Sequence, residues 1–198
     1  MATASNRGAK GRKKVERTAP WSNVPFGKPI AGIDPGARNT GFVILQGEVV
    51  LYAETIHRPD EMEQYDYADY VCDEIGRIIS EVDFFDGYEV RFGIEGISDP
   101  KGFHNGKRAA INPRDIIRAS AVFGAIRRDL KLKGLPYVII EPKGNGSNHI
   151  SQYPPSLTGT RPADLPGSGN KSGTRNHERS AFDVAIKAIE AFKFEGDK

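Results

Sequence analysis

The first third of the chain carries its apolar residues in short alternating or continuous runs, the pattern of strands. The run PIAGID, the stretch from about Gly41 to Leu45 and the stretch from Glu48 to Ile56 read as three strands, with Gln46 and Gly47 as a tight turn between the last two. Short connections make them an antiparallel meander. From about Glu61 to Val82 the period lengthens, and Ala68, Val71, Cys72, Ile75, Ile78, Ile79 and Val82 fall at helical spacing. The run EVRFGIEGI then predicts a buried fourth strand, and the Gly- and Lys-rich segment Ser98 to Ile111 a loop. Asn112, Pro113 and Asp115 supply an N-cap, a first-position proline and a first-turn acid for a second helix, which Gly134 stops. A fifth strand follows in PYVIIEP.

Residues 143–174 are rich in Gly, Ser, Pro and Asn and predict a long loop without elements of its own. A last helix from about Asn176 to Phe192 places Ala181, Val184, Ala185, Ala188 and Phe192 on one stripe and Asn176, Ser180, Asp183 and Lys187 on another. The order is three strands, helix, strand, helix, strand, helix. It predicts an α/β domain over residues 28–198. Its five-stranded mixed sheet would run an antiparallel meander into parallel strands, with helices on both faces.

Composition narrows the setting. With 38% hydrophobic residues the chain is an ordinary globular protein, no apolar run is long enough for a membrane span, and the polar N-terminus lacks a secretory segment. A cytoplasmic location is expected. Cys72, the single cysteine, reads as a core thiol. The net charge of +2 hides an asymmetry: residues 60–89 contain eleven acids and one basic residue, Arg77. The first seventeen residues hold six Lys or Arg against one Glu, so residues 1–27 read as a flexible basic arm. Acidic on one face and basic elsewhere, such a chain suits a polyanion partner.

The candidate chemistry lies at strand ends. Asp34 closes the first strand and Glu95 the fourth, and each has a glycine two positions earlier on the same face, Gly32 and Gly93. Those glycines would leave room for a nucleic-acid backbone and hydrated ions above the sheet. A buried carboxylate is costly unless paired or bound to a cation. With Asp183 from the last helix, Asp34 and Glu95 form a set able to hold two Mg²⁺, or Mn²⁺, roughly 4 Å apart for phosphodiester cleavage. Gly-rich KGNGS and PGSGNKSG lack the order of an NTP-binding loop, so no nucleotide cofactor is expected.

GIDPGARNTG, FGIEGI and the helix with HERSAFD resemble the RuvC-type Holliday junction resolvases, which have the ribonuclease H-like fold. The long acid-poor loop and compact last helix are similar to phage-encoded members, which would place the protein in a host cytoplasm. The resemblance implies that Asp34, Glu95 and Asp183 are metal-binding acids and that the activity is divalent-metal-dependent nicking of branched DNA. The family has a fourth ligand three residues before the last acid. Here that residue is Ser180, which leaves His177 or Glu178 for the role, His177 preferred and also suited to proton transfer.

After Glu95, Lys101, Lys107 and Arg108 would hold phosphates while Phe103 stacks on an unpaired base. Lys143, following the fifth strand, would steady the scissile phosphate. A nearly two-fold junction cut twice calls for a homodimer, as in the family, with the second helix as interface. Two other readings stay open: a non-catalytic junction or nucleic-acid-binding protein of the same fold, and a less selective flap or branched-DNA nuclease.

Overall fold

The computed structural model describes residues 28–47, 49–81, 90–97, 103–104, 107–108, 112–158 and 175–196, the pairs 103–104 and 107–108 and residues 194–196 by backbone alone. The basic arm and Lys101 lie outside the described residues, as do the side chains of Phe103, Lys107 and Arg108.

Strand β1 (Ile30–Asp34) is the centre of a five-stranded sheet and is covered on both sides, which its unbroken apolar run requires. Ala31 and Ile33 point to one face, Ile30 and Gly32 to the other. β2 (Asn39–Gln46) pairs antiparallel with β1, and β3 (Val49–His57) antiparallel with β2. The tight turn at Gly47 takes the left-handed conformation, φ 59°, that glycine adopts without penalty. β4 (Arg91–Glu95) runs parallel to β1 on its other side, with Ile33 opposite Ile94. A two-residue ribbon, β5 (Phe103–His104) and β6 (Lys107–Arg108), interrupts the segment expected to be all loop. β7 (Tyr137–Ile140) pairs parallel with β4, giving the order β3-β2-β1-β4-β7, the mixed sheet the element sequence predicts.

Two crossovers step the same way across the sheet, so their helices land on the same face. These are α1 (Gln64–Glu81) and α2 (Pro113–Leu132), which close one core with Val71, Ile75, Ile78, Val122, Ile126 and Leu130. α1 starts three residues later than its periodicity suggests, because Pro59 to Met62 close a turn first, with Met62 N–H bonded to Pro59 O at 3.1 Å. The α2 cap is as the sequence predicts: Asn112 Oδ1 accepts from Arg114 N–H at 3.0 Å, and Gly134 takes φ 67° past the helix end. Cys72 is partly buried where α1 meets α2. Among the described residues no helix is long and apolar enough to cross a membrane.

α3 (Asn176–Gly196) covers the opposite face. Its predicted apolar stripe is buried there, and the two strand glycines explain how closely it lies. A Cβ on Gly32 would stand 2.0 Å from the Ala181 carbonyl oxygen and one on Gly93 2.7 Å from the Ala188 Cβ. The room expected for nucleic acid above Gly32 and Gly93 is therefore filled by α3. Two members of the polar stripe, Ser180 and Asp183, are buried as well. What covers them is the first half of the segment read as a structureless loop. Residues 143–158 form two 3-10 turns, Ile150–Gln152 and Pro155–Leu157, and bury Tyr153 and Leu157 against α3. Two apolar anchors suffice to order a stretch whose remaining composition favours loops.

Candidate active site

Parallel pairing of β1 with β4 sets their carboxyl ends side by side, and with them Asp34 and Glu95. The two carboxyls interact directly. Glu95 is pushed up to about 8, first by burial and then by the charge and hydrogen bond of Asp34, against the opposing donors Asn145 and Ser180. Glu95 Oε2 accepts from Ser180 Oγ at 3.0 Å and Oε1 from Asn145 Nδ2 at 3.0 Å. Ser180 thus acts as a hydrogen-bond donor to the acid on β4.

His177 stands on the other side of the pair, its Nδ1 3.0 Å from Asp34 Oδ2. It gets there because β2 carries glycine at position 41, where a Cβ would fall 2.0 Å from the His177 carbonyl oxygen. Glu178, the competing candidate, turns away. It is buried between Thr55 Oγ1, 3.4 Å off, and the Arg175 guanidinium, 3.1 Å off. Burial raises its carboxyl, with Arg175 opposing.

Asp183 lies one helical turn beyond Ser180, yet its carboxylate is engaged elsewhere. Oδ2 accepts from Gly146 N–H and from the Tyr153 hydroxyl, both at 2.8 Å, and Asn148 Nδ2 is 3.3 Å from each oxygen. Burial raises this carboxyl, while those donors and Lys187 oppose the shift. Among the described residues no three His, Cys, Asp or Glu side chains are grouped as ligands of one metal ion. The structure thus sets Asp34 beside Glu95 and His177 beside Asp34, and engages the Asp183 carboxylate with donors from residues 146–153. A segment without periodicity supplies the donors to the third acid.

The fit to a divalent cation can be judged on donor chemistry. Asp34 and Glu95 offer hard carboxylate oxygens at adjacent strand ends, a set that suits Mg²⁺ or Mn²⁺. Lys143 is exposed just past β7, at the Glu95 end of the sheet, and its carbonyl accepts from Lys187 Nζ at 3.1 Å. Lys187 also bonds Asn145 Oδ1. Asn145, Asn148 and Tyr153 were not apparent as site residues from sequence. The only trace of them is the pair of glycines at 144 and 146, which adopt φ 85° and 67° and turn the chain back onto α3.

The sheet order, with α3 across β1, β2 and β4 and two helices on the reverse face, defines a ribonuclease H-like fold. RuvC of Thermus thermophilus, in complex with Holliday junction substrate, shares it at a TM-score of 0.53 and 15% identity, over 84% of this chain and 96% of that one. A second structure of Thermus thermophilus RuvC gives a TM-score of 0.48 at 12% identity, covering 82% and 94% of the two chains. No protein-family model matches the sequence, and no curated protein matches it.

Proposed function

We propose that the protein is a metal-dependent endonuclease that nicks branched DNA, four-way junctions above all, and acts in the cytoplasm as a homodimer. The observation that carries this reading is the Asp34 and Glu95 pair at adjacent strand ends, two carboxyls brought side by side by parallel strand pairing. The structure of a RuvC bound to a Holliday junction supports the substrate class, because the two chains share their fold over most of their lengths.

In this mechanism Asp34 and Glu95 would hold a divalent cation, with His177 beside Asp34 and Asp183 as the further acid. When bound, such an ion supplies Lewis-acid stabilisation of charge on the phosphate. The chain's own residues do the rest. Ser180 and Asn145 fix both oxygens of Glu95, and Asp34 orients the His177 ring through Nδ1, which leaves Nε2 to hold or pass a proton. Lys143 and Lys101, Lys107 and Arg108 of the loop after β4 contact phosphates, and Phe103 stacks on an opened base. The basic arm adds salt-sensitive affinity. α2 leaves Ile117 and Leu132 exposed, 69% and 74%, as apolar contacts for a second copy.

The engagement of Asp183 favours a second reading, a junction-binding protein of the same fold without cleavage. One assay separates the two. Purified protein is incubated with a synthetic four-way junction, a Y-fork and a flap in Mg²⁺ or Mn²⁺. Paired symmetric nicks on the junction, lost in Asp34→Asn, support the resolvase reading. Binding without any product from the wild-type chain overturns it, and equal cutting of flaps and forks leaves only a less selective nuclease.

A further inference from the structure

Tyr153 is a buried phenol in a segment otherwise rich in small polar residues, and its position is over-determined. Its ring meets Phe182 edge-on, centroids 5.9 Å apart, and the Arg179 guanidinium lies 5.9 Å from its centroid. Arg179 is itself buried and bonds the Leu157 carbonyl at 3.2 Å. The hydroxyl so fixed donates to Asp183 Oδ2. Gly146 N–H donates to the same oxygen, and Asn148 Nδ2 is within reach of it, so this oxygen meets more donors than its two lone pairs can serve. The other oxygen has Asn148 at 3.3 Å. A Cβ on Gly146 would stand 3.2 Å from the Ser180 Cβ, so the turn that brings this N–H to Asp183 is seated against the helix.

Ser180 and Asp183 are neighbours on one face of α3, and Ser180 touches Glu95. The helix therefore places Asp183 one turn from the residue that touches Glu95, and its carboxylate is engaged by donors of the 146–153 segment. We infer that Tyr153 is a positioning residue of the cation site: its phenol holds the Asp183 carboxylate on the 146–153 segment, and Asp183 joins Asp34 and Glu95 only when that hydrogen bond is given up. This rests on the proposed cation site. It makes the apparent affinity for divalent ions lower than the ligand set itself would give, because only the released fraction of the chain has its full set.

The test is Mn²⁺ binding to the full chain without DNA, followed by the electron paramagnetic resonance signal of the free ion. Tyr153→Phe keeps the ring and its contacts with Phe182 and Arg179 and deletes one donor. Expected is a Kd for Mn²⁺ lower by about tenfold, the worth of one hydrogen bond to a charged group. Asn148→Ala should shift it the same way by less, and Asp183→Asn added to Tyr153→Phe should abolish the gain. Circular dichroism checks folding, and if Tyr153→Phe unfolds the chain, Asn148→Ala decides. Unchanged binding overturns the inference, as does weaker binding, which would mean that Tyr153 aligns Asp183 as a ligand. Tighter binding in a chain that nicks no junction keeps this inference and removes the nuclease reading. Nicking by the wild type with unchanged Mn²⁺ binding in Tyr153→Phe does the reverse.

Discussion

His177 Nδ1 and Asp34 Oδ2 are 3.0 Å apart, a contact that ties the first turn of α3 to the last residue of β1 across 143 positions. It gives the imidazole a fixed orientation beside the acid pair, the arrangement a general acid or base needs. His177→Ala should lower the single-turnover rate of junction nicking by about a hundredfold, in the range for loss of a positioned proton-transfer group. Junction affinity, measured by gel shift in Ca²⁺, should change by no more than about twofold, since DNA affinity is carried mainly by phosphate contacts. A matching loss of binding would make His177 a DNA contact instead.

Glu95 links the site to stability. Its carboxyl titrates near 8 in the folded chain against 4.5 ordinarily, chiefly because it is buried. Folding therefore favours the protonated form, so this group's contribution is full below about 4.5 and is lost as pH rises through about 8. The thermal midpoint of metal-free protein should fall between pH 5 and pH 9, and Glu95→Gln should flatten the fall. Asp183, raised in the same direction, leaves a residual slope. Added Mg²⁺ should restore the midpoint most at the alkaline end, where Glu95 is ionised.

Gly32 sets how closely α3 approaches the sheet. An added methyl would meet the backbone oxygen of Ala181 at 2.0 Å, and a backbone atom within a helix cannot swing aside. Gly32→Ala should cost about 3 kcal/mol or more in urea unfolding, at the upper end for overpacking. Gly124→Ala in α2, where nothing lies within 4 Å of the new Cβ, is the matched control and should be stabilising by up to about 1 kcal/mol.

Burial pushes the Cys72 thiol up to about 12, with Asp129 and Asp69 adding to the effect. Only the thiolate reacts, so at pH 8 the folded protein should consume Ellman's reagent about a thousandfold more slowly than an ordinary thiol. Urea unfolding should restore the ordinary rate. Fast reaction in buffer would show that the α1 and α2 packing opens readily.

Local patterns carried much of this protein's architecture. The apolar run before Asp34, the Asn112 and Pro113 cap of α2, and the Ala and Val stripe of α3 each state their element within a few residues, because strand alternation, helix capping and helical spacing are short-range. Asp34 and Glu95 were legible for the same reason, as carboxylates ending buried strands. Neighbouring positions could not say what fills the space above Gly32 and Gly93, nor that Tyr153, Asn145 and Gly146 take hold of acids 30 to 50 residues away. Those contacts join segments that share no period, and their hydrogen bonds exist only once α3 has been pressed against the sheet. Packing therefore decided which donors engage each acid.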